Sequence, residues 1–199
     1  DLIETPPTSW EDLWNEEYAG HVGIIDIANS FGMQFLVMAS MLDGGDENNM
    51  DPGFERIESL LPNAAAVVEQ TPEVGTLFAQ EEIWITAYNA GYAFTFREQG
   101  QSVSYVVPEE GAVGSFISAQ PVANSPNPEL AQEFINFLLR EDIQQRFAER
   151  NGYAPVNMNV ELSEELQSVM PYGEEAVNSL IRLDWETVNN HSQEWNDRF

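Results

Sequence analysis

Apolar and polar positions alternate along this chain in blocks, and their period switches between that of a strand and that of a helix. Thr8 and Ser9 stand ahead of Trp10–Trp14, with Glu11 and Asp12 in what would be the first turn, which predicts a short capped helix. Residues 22–27 form a short apolar run and read as a buried strand. Asn29 and Ser30 are good caps for a helix over 31–42, apolar almost all round and so expected to be buried. Gly44 and Gly45 stop it. Asp51 and Pro52 open the next helix as N-cap and first helical residue, and it ends near Leu61 and Pro62. Thr71 and Pro72 repeat that start signal for a helix to about Gln80.

Residues 83–88 predict a second strand, after which Asn89 caps a helix ending at Gln99 and Gly100. Residues 103–107 predict a third strand stopped by Pro108, and residues 116–122 a fourth. Asn127 and Pro128 open an amphipathic helix through Leu139, followed by a helix over 142–150 that stops at Asn151 and Gly152. Loop and helix fill the rest, over 163–170, 174–183 and 184–199. Strands alternating with helices of this length predict an α/β layer.

The charge balance narrows the partners. The chain has 199 residues, with 34 acidic against seven basic side chains and a formal net charge of -27. All seven are Arg, and Lys is absent. Such a field repels nucleic acid and anionic membrane surfaces and attracts cations. It opposes folding through self-repulsion unless salt screens it, so an acidic surface without Lys fits a halophilic or marine source. The absence of Cys excludes disulfides, thiolate metal sites and a Cys nucleophile. No apolar run approaches the length of a membrane span. The chain opens on Asp1 without Met, and residues 1–8 read as a linker, so a preceding segment is expected.

Candidate chemistry is sparse. His21 and His191 stand outside any Ser-His-Asp setting, and neither G-x-S-x-G nor a phosphate-cradling glycine motif occurs. The Glu pairs 81–82, 109–110 and 174–175 read as solvated faces rather than catalytic dyads. The oxygen-rich loop 43–51 lacks EF-hand spacing and reads first as a helix stop followed by an N-cap, with a Ca²⁺ site as the weaker reading. No cofactor is expected. In open α/β sheets, ligands bind at the carboxyl ends of strands beside helix N-termini. Asn29 and Ser30 after the first strand, and Tyr88 and Asn89 after the second, occupy such positions, although each is also an ordinary cap.

Residues 7–20, Pro-Thr-Ser-Trp-Glu-Asp-Leu-Trp-Asn-Glu-Glu-Tyr-Ala-Gly, are similar to a motif of bacterial extracellular solute-binding proteins, above all the spermidine/putrescine-type receptors of ABC transporters. Four runs that follow in the same order are 60–63, 82–85, 107–111 and 131–140. The last is Gly152-Tyr153-Ala154-Pro155-Val156-Asn157, and together these motifs span nearly the whole chain.

The resemblance implies a type II periplasmic-binding-protein fold, two α/β lobes closing on a ligand, with one complete lobe here plus part of the second. Residues 1–8 would be hinge, 9–107 the second lobe, 108–151 the crossover and remainder of the first lobe, and 152–199 tail helices near the hinge or second lobe. The two acids that the polyamine receptors place after their first second-lobe strand align with Ile27 and Ser30. Asp26 lies beside them but is expected to point to the other face. The stacking aromatic aligns with Tyr88, a Trp and an Asp align with Ser115 and Ile117, and a tail-helix Gln aligns with Glu186, just after Trp185. Buried cationic ligands need paired acids or aromatic faces. The expected cleft residues are therefore Asn29, Ser30, Tyr88, Asn89, Ser115, Trp185 and Glu186.

The implied role is a non-catalytic receptor on the periplasmic or cell-surface side. It would capture a small polar organic solute, such as an amine, a polyamine-like compound or an amino-acid derivative, and deliver it to ABC permease subunits, touching the membrane only through them. An enzyme on the same scaffold and a sensor or interaction domain are the alternatives.

Overall fold

A computed structural model describes residues 2–167 and 169–199. Its centre is a three-stranded parallel sheet in the order β2-β1-β3, with β1 Val22–Ile25, β2 Ala64–Val68 and β3 Ile85–Thr86. All four β1 residues are buried. Alternation along the strand sends Val22 and Ile24 to one core and Ile25 to another.

The first core lies where α1 Ser30–Leu42, α2 Asp51–Leu60 and α9 Trp185–Arg198 meet the sheet. It joins Ile24, Leu36, Val37, Leu60, Val188 and Trp195. On the opposite face, α3 Thr71–Ala79 and α4 Ala90–Glu98 bring Val74, Leu77 and Phe96 onto Ile25 and Val68. The sheet is thus covered on both sides, as parallel sheets require. A third cluster packs α6 Glu141–Asn151 through Ala148 against Val160, Leu162, Val169 and Met170. The remaining helices are α5 Pro128–Leu138, α7 Glu164–Gln167 and α8 Gly173–Asn178.

Local chemistry explains most boundaries. Ser9 and Asp12 form a capping box around the 3-10 turn Trp10–Trp14. Asn29 caps α1 by accepting from the Phe31 amide at 3.0 Å, and Asn89 caps α4 by accepting from Gly91 at 2.8 Å. Asp184 caps α9 through the Glu186 and Thr187 amides. Those hydrogen bonds, led by the Thr187 hydroxyl, hold its carboxyl below the usual range.

Several expectations need correction. Asp51 is the first residue of α2 rather than its cap, and Met50 takes the cap position without a side-chain bond. The 22–27 run stops as a strand at Ile25, because Asp26 turns its carboxylate onto the Ala28 amide at 2.8 Å. Residues 103–107 and 116–122 form no strand among the described residues, since no neighbouring strand runs beside them to complete a ladder. The strand at Ala64–Val68 was not expected at all. The helices expected over 163–170 and 174–183 shrink to Glu164–Gln167 and Gly173–Asn178. Ser168, in the first of those ranges, lies outside the described residues, as does Asp1 of the 1–8 linker.

Candidate functional site

The order β2-β1-β3 makes the chain leave β1 toward one side and return to its other side. The carboxyl ends of β1 and β3 therefore flank a switch point, where open α/β sheets leave a crevice. A cleft of about 1840 Å³ reaches this region along β3 and the start of α1, without touching β1 itself. One wall comes from the ends of β3 and α1, through Phe31, Gln34, Thr86, Tyr88 and Asn89. The segments 100–108 and 112–119 and residues 153–158, 170–174 and 176–180 contribute to the others.

Rings tie the two strand ends together. Phe31 meets Tyr88 edge-on, with centroids 5.3 Å apart and planes at 72°. Tyr88 packs against Tyr92 at 5.2 Å and lies parallel to Phe96 at 6.4 Å. Burial raises the Tyr88 pKa, the Thr71 side chain opposes this, and the nearby Tyr92 and Tyr153 phenols add to the rise, while the Tyr88 hydroxyl donates to the Thr71 carbonyl at 3.4 Å. The phenol is therefore neutral at physiological pH and can donate. Tyr153 stacks on Phe147 across the cleft floor, with centroids 5.9 Å apart.

A polar cross-link joins two residues of the cleft lining. Gln34 Nε2 on α1 donates to Ser115 Oγ at 2.9 Å, 81 positions further on. The 112–115 segment is itself fixed from behind, with Gly114 N donating to Ile181 O at 2.8 Å and Ile181 N to Ala112 O at 2.9 Å.

Of the expected site residues, Tyr88, Asn89 and Ser115 line the cleft. Asn29 caps α1 and Ser30 is exposed on its first turn, and neither lies among the lining residues. Trp185 packs against the first core, and Glu186 is exposed at the start of α9, both away from the cleft lining. Gln34 and Tyr153 were not singled out as site residues. Tyr153 lay within a quoted motif, whereas nothing local marks Gln34.

The Glu pair 109–110 has a structural part. Ser9 Oγ donates to a Glu110 carboxylate oxygen, the Trp10 amide donates to the other at 3.2 Å, and Glu109 N donates to Thr8 O at 2.8 Å. The Trp10 indole N–H completes the crossing on Gly111 O at 2.8 Å. The acids of loop 43–51 are also turned onto protein: Asp43 pairs with Arg56, Asp46 accepts from Asn48 N, and Glu47 accepts from Asp184 N. No group of three or more His, Asp or Glu is placed to hold a metal ion among the described residues. No helix among them is long and apolar enough to cross a membrane.

The solved structures that this α/β layer and its cleft are similar to are type II periplasmic binding proteins, the architecture of substrate-binding components of ABC transporters. The model of the bacterial extracellular solute-binding protein family matches residues 2–190, and the chain belongs to that family. It is 32% identical over 152 residues to the spermidine/putrescine-binding periplasmic protein of Escherichia coli K12, covering 76% of this chain and 43% of the relative. The crystal structure of an ABC transporter from Clostridium perfringens is 27% identical with a TM-score of 0.75, over 96% of this chain and 61% of that one. The structure of a spermidine/putrescine ABC transporter substrate-binding protein from Streptococcus pneumoniae shares the fold at 20% identity and a TM-score of 0.71, covering 99% and 64%. The chain thus spans less than half the length of the curated relative. The matched families are binding proteins, not enzymes, and their named members are periplasmic or extracellular.

Proposed function

We propose that the protein is the solute-binding receptor of an ABC import system. It captures a small polar organic solute between two lobes and presents the closed form to permease subunits in the membrane. Residues 9–107 with their sheet are one lobe, residues 2–8 are linker and hinge, 108–151 are the crossover and the remainder of the opposing lobe, and the tail helices pack near the hinge or on the 9–107 lobe. Tyr88, Asn89 and Ser115 contact the solute. Tyr88 offers a ring face and a neutral phenol, while Asn89 and Ser115 offer hydrogen bonds.

The observation that carries this reading is the convergence of Tyr88, Asn89 and Ser115 on one large cleft at the switch point of the sheet. A receptor of this design gains affinity when a hinge closes two surfaces on one ligand. Small-angle scattering of the full natural chain with a solute pool from growth medium, followed by uptake into vesicles holding the cognate permease, tests it. A contraction on solute addition and receptor-dependent uptake are expected. Uptake that proceeds equally without the receptor would sink the proposal.

A further inference from the structure

The cleft carries almost no charge on a molecule that is otherwise densely acidic. Of the 34 acidic residues, only Glu81 and Glu174 border it among the described residues, and no Asp, Arg or His does. Both are exposed. Glu81 sits in a tight turn with φ 58°, ahead of β3 and so at the opposite end of that strand from Tyr88. Glu174 lies in the first turn of α8.

What faces the opening is neutral. Ser115 Oγ accepts from Gln34, which leaves the Ser115 O–H to donate and the Gln34 carbonyl to accept. Asn89 and the ring faces of Tyr88 and Tyr153 complete a surface of amides, hydroxyls and π-faces, with the Thr86 hydroxyl buried beneath it.

We infer that this side of the cleft selects an uncharged solute, with amide or hydroxyl groups on an apolar body, and rejects polyamines. The inference rests on the reading of the chain as a solute-binding receptor and names the ligand class of that site. An ammonium moved from water to a surface without a counter-charge loses far more solvation than a neutral amide that finds hydrogen bonds. A diamine does so twice. The acids outside the cleft do not compensate, because salt screens them over distances of about 10 Å. The overall charge draws cations to the surface, while the cleft offers them no partner.

The matched probes are putrescine and N,N′-diacetylputrescine, which share a four-carbon skeleton and differ in charge. Titration calorimetry on the full natural chain, in low and in molar salt, should find the diacetyl compound bound at least ~10-fold more tightly, with an affinity nearly independent of salt. Tighter binding of putrescine would overturn the inference while leaving the receptor function standing. If wild type holds neither probe, the variant Ser115→Asp combined with Gln34→Glu decides, with folding checked by circular dichroism and the single variant Ser115→Asp measured beside it. A gain of putrescine binding shows that the missing charge was the barrier. No gain in either variant refutes the inference. Loss of solute-dependent contraction and of uptake, by contrast, counts against the receptor function itself.

Discussion

Arg56 lies over the indole of Trp14, with its guanidinium carbon 4.3 Å from the ring centroid, and the Trp14 indole N–H donates to the carbonyl of Arg56 itself at 3.0 Å. The same guanidinium pairs with Glu11 and with Asp43, the latter at 2.6 Å. One largely buried side chain on α2 therefore joins the Trp10–Trp14 turn to the end of α1. Arg56→Ala should cost about 2 kcal/mol in urea denaturation, and Arg56→Lys should recover less than half of that, because an ammonium cannot fork to two acids while stacking on a ring. A lysine variant as stable as wild type would show that the stack contributes nothing.

Gly32 sets how closely α1 approaches the end of β1. A Cβ there would stand 2.2 Å from Asp26 O and 2.4 Å from Ile25 O, both backbone atoms that cannot swing aside. Gly32→Ala is expected to cost roughly 3 kcal/mol and to disturb the Phe31–Tyr88 contact. Gly44→Ala is the control: its Cβ would meet nothing within 4 Å, and only its φ of +79° opposes the change, at about 1 kcal/mol. Equal losses for the two would contradict the packing argument.

Glu110 gives the fold a pH-dependent contact. Desolvation raises its pKa, but hydrogen bonds from Ser9, from its own amide and from Trp10 outweigh it, so the carboxyl sits below its ordinary value. A carboxylate depressed on folding contributes stability above its unfolded pKa, and that contribution is lost as pH falls through the folded pKa. Glu110→Gln should therefore be less stable than wild type by about 0.5–1 kcal/mol at pH 7, allowing for solvent screening. The gap should close below the usual carboxylate range. A gap constant from pH 7 to pH 3 would assign the loss to shape rather than charge.

With a net charge of -27, the folded state should gain from screening. Raising NaCl from 0.05 M to 2 M is expected to lift the melting temperature by roughly 10 °C, and sucrose of matched viscosity by much less. A flat salt profile would mean that the acidic surface opposes folding only weakly.

Features written in neighbouring residues were legible in the sequence. The caps at Ser9, Asn29 and Asn89 are hydrogen bonds to amides two positions away, and each helix starts near its signal. Features that depend on a distant partner were not. Ala64, Ala65 and Ala66 have helical propensity, and they become a strand because β1 lies alongside to complete the ladder. Residues 103–107 carry a better strand pattern and form none, for want of such a neighbour among the described residues. The same holds at the cleft. Tyr88 and Asn89 were visible as strand-end residues, whereas the Gln34–Ser115 cross-link joins positions 81 apart. Glu110 looked like half of a solvated acid pair until Ser9 was found against it.

The crossing of residues 8–10 with 109–111 has a mechanical consequence. Ser9 and Glu110 are 101 positions apart, yet the chain enters and leaves the intervening stretch at one place. Everything between them shares that one crossing, and α9, which returns from the far end of the chain to complete the first core, has to move with it as one body. Neighbouring ends alone do not make the stretch a cassette: cut out and closed head to tail, it would lose Val188 and Trp195 from its core, so it needs α9 to fold.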